Sequence, residues 1–128
     1  RLVPGRTPML AWLSMCVAAA RIHGIDILDG VYNDIGNPDG FAKECAQGLE
    51  LGFDGKTLIH PSQIEPCNKA FSPSPAEVEQ ARKMIGAFDK PENKGKGVVS
   101  IDGRMVERLH ADMARRTVAI AEAISART

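Results

Sequence analysis

The sequence predicts an α/β fold, and three features carry that prediction. Two short β-type segments, 25–28 and 53–59, flank a stretch of helical length, which is the strand–helix–strand order of a parallel pair. Ser74-Pro75-Ala76-Glu77 supplies a capping box for a further helix. Asp102-Gly103 then separates two short β-type runs, the pattern of a tight hairpin. The helical crossover places the C-terminal ends of the first two strands on one edge of a sheet, where parallel sheets carry their chemistry.

Each element has a local reason. Met9–His23 is rich in Ala, Leu and Met, is apolar around most of its circumference and stops at Gly24, so it reads as a well-buried helix. Ile25-Asp26-Ile27-Leu28 is too short for a helix and is closed by Asp29-Gly30. Asn37-Pro38 starts the next helix, Asn by accepting amide bonds and Pro by its fixed φ, and Gly52 ends it after Leu51. Phe53–Ile59 leads into His60-Pro61, and helices follow over Ser62–Ala70 and from Ser74 to Phe88. The polar, breaker-rich stretch 89–97 reads as a mobile linker. The division expected is therefore 1–88, a linker at 89–97, and a hairpin-and-helix unit at 98–128. The last helix, Glu107–Ala126, repeats Leu109, Met113, Val118, Ala121 and Ile124 at helical spacing.

Composition narrows the function. Sixteen basic and sixteen acidic side chains cancel, and no Lys/Arg block occurs, so the electrostatic case for nucleic acid or an anionic membrane is absent. The longest apolar run, Met9–Ala20, falls short of the roughly 20 residues that span a bilayer. The three cysteines are odd in number and form no Cys-x-x-Cys pair, so neither a disulfide framework nor a zinc site is favoured and a reducing cytoplasm fits best. The start at Arg1 carries no signal-peptide pattern and reads as a cut end.

The candidate site residues cluster at the strand ends. Asp29, with Asp34 five residues on, is placed to hold a metal or orient a substrate hydroxyl, or else is turn chemistry with a solvated neighbour. Lys56 lies inside an apolar strand and implies a carboxylate partner or a charged ligand. His60-Pro61 presents an imidazole or a carbonyl to a ligand, or is a rigid loop whose His is satisfied by backbone. His23 and His110 carry no functional reading, and Glu107 at a helix start serves as a cap by its charge alone. No nucleophile elbow, phosphate loop or paired metal-ligand motif occurs.

Three segments in order, Ile25–Ile35, Gly52–Ile64 and Gly95–Glu107, resemble the citrate lyase beta subunit and malyl-CoA lyase family of CoA-ester lyases. Gly-Phe-Asp-Gly-Lys followed by Ile-His-Pro-Ser-Gln-Ile is the most specific block, and the likeness runs from about residue 8 to the end. The resemblance implies the C-terminal part of a (β/α)₈ TIM barrel, which whole takes about 250 residues and eight strand–helix units, followed by a hairpin-plus-helix lid. It implies a homo-oligomer, trimer or hexamer, in which the lid acts in trans on a neighbouring active site. It further implies an acyl-CoA substrate and Mg²⁺ whose Glu and Asp ligands lie in an N-terminal part beyond this chain, leaving no metal ligand within it. The activity implied is Mg²⁺-dependent carbon–carbon cleavage of a 3-hydroxyacyl-CoA such as malyl-CoA, with the fragment by itself inactive.

The family's proton-transferring Asp on the lid matches Glu107, a departure of one methylene, or about 1.5 Å. Errors of about 1 Å cost on the order of a hundredfold in rate, so either the backbone compensates or the specificity differs. Asn37, where relatives carry Asp, should alter only capping. Asp29, Tyr32, Lys56, His60 and Pro61 fall on positions that line or shape the acyl-CoA pocket, with Asp29 and Lys56 also fitted to a buried ion pair. The rival reading is a non-catalytic acyl-CoA-binding or oligomer-assembly module.

Overall fold

The computed structural model describes residues 3–127. The chain forms two compact units that meet in sequence between Phe71 and Ser72.

In the first unit a 3₁₀ turn over Pro4–Met9 leads into α1 (Leu10–Ile22), β1 (Leu28–Asp29), α2 (Pro38–Leu51), β2 (Gly55–Lys56), a second 3₁₀ turn at Pro61–Gln63 and α3 (Ile64–Phe71). The strands are parallel, with Leu28 opposite Gly55 and Asp29 opposite Lys56. They are shorter than the sequence predicts. Beyond the paired residues, the ladder gives way to single bonds, Asp54 N–H to the Ile27 carbonyl and Thr57 N–H to that of Asp29, both 2.9 Å. Asp54 then takes over as a side-chain acceptor from the Ile27 N–H at 2.8 Å and from Arg21.

Helix α2 begins and ends where its caps dictate: Asn37 accepts the Gly40 N–H at 2.9 Å, Pro38 follows, and Gly52 closes it at φ 95°. Its inner face buries Phe41, Cys45 and Gly48, and the first two form a core with Cys67 of α3, walled by Tyr32, Leu58, Ala70 and Phe71. Burying an aromatic side chain such as Phe41 is worth roughly 1.5–3 kcal/mol. Helix α1 departs from expectation. Only Val17 and Ala20 are buried, while Trp12, Met15 and Ile22 stay exposed, because the first 3₁₀ turn and α2 cover just one of its apolar sides.

The second unit holds α4 (Pro75–Phe88), a 3₁₀ turn at Pro91–Asn93, the antiparallel hairpin β3 (Val98–Ile101) and β4 (Arg104–Glu107), and α5 (Arg108–Ser125). Ser74 and Glu77 cap α4 reciprocally, and the hairpin turns on Asp102 and Gly103 at φ 50° and 77°. The sequence places a linker at 89–97 and groups α4 with the residues before it; the packing instead groups α4 with the hairpin and α5. Phe88, with Met84 and Ala87, joins Val99, Ile101, Val106 and Ala111 in one core. Segment 89–97 is pinned to it: Asn93 donates to the Ala87 carbonyl at 2.8 Å, and Arg108 N–H to that of Gly97 at 2.8 Å. Helix α5 buries Ala111 and Ala114, with Val118 and Ala121 half-buried, and turns Leu109 and Met113 outward. Small side chains form the contact face, so the longer apolar ones are left to solvent.

Candidate functional site

The strand ends of the first unit meet in a buried network of charge. Asp29 is 1% exposed and Lys56 6%, and Lys56 Nζ donates to Asp29 Oδ2 at 3.1 Å and to Glu44 Oε1 of α2 at 2.6 Å. Asp29 Oδ1 accepts from Arg6 Nη1 at 2.7 Å and from the Gly30 N–H at 2.8 Å. Burial raises the Asp29 carboxyl, but the bonds from Arg6, Lys56 and Gly30 outweigh it and hold its pKa below the ordinary carboxylate value. Arg6 reaches the network because Gly5 and Arg6 both take left-handed backbone, at φ 74° and 53°. Its Nε donates to Gln47 at 2.9 Å, and Gln47 returns a bond to the Gly5 carbonyl at 2.7 Å. Gly48 lets α2 approach: a Cβ there would lie 3.1 Å from Asp29 Oδ2. Asp29 and Lys56 therefore form the ion pair that a Lys in an apolar strand implies, and both carboxylate oxygens of Asp29 are occupied.

Around this closed centre lies a more open rim. Tyr32 packs edge-on against Phe41 with ring centroids 5.9 Å apart, and its hydroxyl lies over Gly40, where any side chain would collide with it. Burial, with the charges of Asp34 and Glu44, raises the Tyr32 pKa, so the phenol is a neutral donor at physiological pH. Tyr32 shares a cavity of about 590 Å³ with Met9, Leu13, Gly30 and Val31. His60 and Pro61 are exposed, and His60 Nδ1 accepts the Ser62 N–H at 3.2 Å, the backbone-satisfied arrangement. Buried Gln63 donates to the Tyr32 carbonyl at 3.0 Å and accepts the Ile59 N–H at 3.1 Å, tying the two strand-end loops together.

Glu107 lies in the second unit, exposed at the junction of β4 and α5. Its backbone N–H donates to His110 Nδ1 at 3.0 Å, and its carboxylate faces the His110 N–H in capping-box fashion without closing a cap hydrogen bond. The charge predicted at this helix start is present, and a carboxylate with room for about four acceptor bonds keeps capacity for other partners.

Among the described residues no three His, Cys, Asp or Glu side chains converge on a point that could hold a metal. The described residues therefore assemble no ready-made ligand set for the Mg²⁺ that the resemblance implies. Cys45 and Cys67 are buried free thiols, and burial together with the neighbouring Cys67 lifts Cys45 to about 11, so neither is a nucleophile at neutral pH. No helix is long and apolar enough to cross a membrane among the described residues.

Residues 3–61 match the model of the HpcH/HpaI aldolase/citrate lyase family. Over this segment, just under half of its length, the chain resembles that family. It is 53% identical over 126 residues to a (3S)-malyl-CoA thioesterase of Cereibacter sphaeroides, covering 98% of this chain and 44% of the relative. It is 40% identical to citrate lyase subunit beta of Escherichia coli K12, covering 93% of this chain and 39% of that protein. The chain thus spans under half the length of these relatives and corresponds to their C-terminal portion. A crystal structure of CitE from Mycobacterium tuberculosis in complex with magnesium, acetoacetate and coenzyme A superposes with TM-score 0.68 at 30% identity, covering 86% of this chain and 40% of that one. A citrate lyase from Burkholderia xenovorans, 21% identical with TM-score 0.71 over 88% of this chain and 35% of its own, shares the fold. These neighbours are TIM-barrel proteins, and the first unit, with its short parallel strands and helices, is a partial α/β fragment of that kind.

The sequence implies the carboxylate partner of Lys56, which is present as Asp29, but gives no hint of Arg6, Gln63 or His110. Lys56 carried a signal for Glu44, since a buried ammonium has room for more than one acceptor. For Gln63 and Arg6 the sequence offers none, because their partners lie 31 and 23 residues away.

Proposed function

We propose that the protein to which this chain belongs acts on a 3-hydroxyacyl-CoA of the malyl-CoA type, with Glu107 as the group that moves the proton. One observation carries this reading: an exposed carboxylate, held by the first turn of α5, occupies the position where the family resemblance puts the lid acid. In carbon–carbon cleavage to acetyl-CoA and glyoxylate, the 3-hydroxyl gives up its proton to solvent as its oxygen becomes the glyoxylate carbonyl, the carbon–carbon bond breaks, and the carboxyl protonates the carbon next to the thioester and is then reprotonated from solvent; in the reverse direction it removes that proton. Mg²⁺ belongs to the reading through ligands outside the described residues.

The units take different parts. Tyr32, His60 and Pro61 shape the rim of the acyl-CoA pocket, while Asp29 and Lys56 fix the strand ends beneath it. Residues 98–128 act as the lid, in trans within a homotrimer or hexamer.

A second reading, thioester hydrolysis, is favoured by the name of the 53% identical relative and by Glu in place of the family's Asp. There Glu107 takes a proton from water, the hydroxide adds to the thioester carbonyl, and the departing CoA thiolate recovers the proton. The longer side chain reaches about 1.5 Å further, which suits a water between acid and carbonyl.

The test is full-length protein with (3S)-malyl-CoA and Mg²⁺, assayed for both products. Glyoxylate supports cleavage, free malate supports hydrolysis, and neither product with retained CoA-ester binding supports the non-catalytic module. Glu107→Gln should lower kcat by roughly 10²–10⁴-fold. Unchanged turnover would reject Glu107 as the proton carrier.

A further inference from the structure

We infer that His110 is a positioning residue that sets the Glu107 carboxylate for proton transfer. The inference deepens the reading of Glu107 above and rests on it.

A capping box ordinarily has Glu or Gln at its third helical position, a flexible acceptor that reaches back to the cap N–H. Here the acceptor is an imidazole. His110 Nδ1 receives the Glu107 N–H at 3.0 Å, which ties the backbone of the residue carrying the carboxylate to the first turn of α5, while the Glu107 side chain faces the His110 N–H in capping-box fashion. Because Nδ1 accepts, the neutral ring carries its proton on Nε2. The imidazole has only two rotatable side-chain bonds, so it fixes the cap more tightly than a glutamine would.

A second set of contacts anchors the same junction from the other side. Arg108 N–H donates to the Gly97 carbonyl at 2.8 Å, its Nη2 donates to the Lys96 carbonyl at 2.7 Å, and its guanidinium lies 5.5 Å from the centre of the Phe88 ring. Glu107 is therefore held between a strand end fixed by Arg108 and a helix turn fixed by His110. For a group that must meet a reacting atom, placement within a fraction of an ångström is what turns proximity into rate. Without the imidazole the Glu107 side chain keeps its chemistry but loses its fixed backbone support.

The test uses the full-length protein with (3S)-malyl-CoA. His110→Ala and His110→Lys both remove the acceptor and should lower kcat about tenfold with KM unchanged, whereas His110→Gln restores an acceptor and should recover most of the loss. Added to Glu107→Gln, His110→Ala should cause no further fall, since a residue that acts through Glu107 has nothing left to position. Thermal unfolding of each variant is read alongside, and His110→Lys carries the comparison if the alanine variant does not fold. Unchanged kcat in both variants, or losses that multiply with that of Glu107→Gln, would overturn the inference. If Glu107→Gln itself leaves turnover intact, the assignment of Glu107 fails, which is a separate and distinguishable result.

Discussion

Asp29 and Glu107 are both carboxylates on the last residue of a strand, yet their surroundings are opposite. Asp29 lies under α2 with two cations and a backbone N–H on its oxygens, and it has no room for a substrate. Glu107 is exposed, bonded within its own helix turn, and has spare acceptor capacity. Strand-end position alone does not make a carboxylate available for chemistry; its oxygens must also be unoccupied, as those of Asp29 are not. Buried charges are costly unless paired, so the Asp29 cluster reads as the device that fixes the strand ends and Glu107 as the group left free to react.

The contrast is broken most directly at Lys56. Lys56→Met removes the ammonium from between Asp29 and Glu44 and should cost about 3 kcal/mol, with Arg6 still neutralising part of the charge; urea unfolding of the full-length protein measures it. A stable Lys56→Met protein with lost substrate binding would move Lys56 to the ligand side of the comparison. Gly48→Ala probes the same cluster more gently. The added Cβ lies 3.1 Å from Asp29 Oδ2 and 3.5 Å from Phe71 Cζ, and Asp29 is tethered too firmly to yield. Overpacking costs roughly 1–3 kcal/mol and better helix propensity returns up to about 1 kcal/mol, so a net loss of about 1 kcal/mol should show as a lower Tm.

The smallest effect is that of acid. The folded-state pKa of Asp29 is depressed, so the unfolded chain binds the proton more readily, and the stability Asp29 contributes is complete above its unfolded pKa of about 3.9. That contribution falls away as pH drops through the lower folded value. Stability measured from pH 6 down to pH 2 should decline with a slope that Asp29→Asn reduces. An unchanged slope would show that other carboxylates account for the acid loss.

The features legible in the sequence were local. Asn37-Pro38 and Gly52 fix α2, Ser74 and Glu77 fix the start of α4, and Asp102-Gly103 fixes the hairpin, each through bonds a few residues long. The pairing of Asp29 with a cation followed from the oddity of a Lys in an apolar strand, whereas Glu107 stood out only through resemblance. Arg6 was hidden because its reach depends on two successive left-handed residues, one of them not glycine. Large apolar side chains do not mark the buried face of these helices: α1 leaves Trp12 exposed, and α5 packs through Ala111 and Ala114. His110 gives no signal in the sequence, since an imidazole in a capping box has no periodic or charge signature.

The Gln63 amide has a mechanical consequence. With one end on the Tyr32 carbonyl and the other on the Ile59 N–H, it staples the turns that follow the two parallel strands into a single hoop. A load on either turn is shared by both, so the mouth of the first unit is stiffer than two separate turns would be.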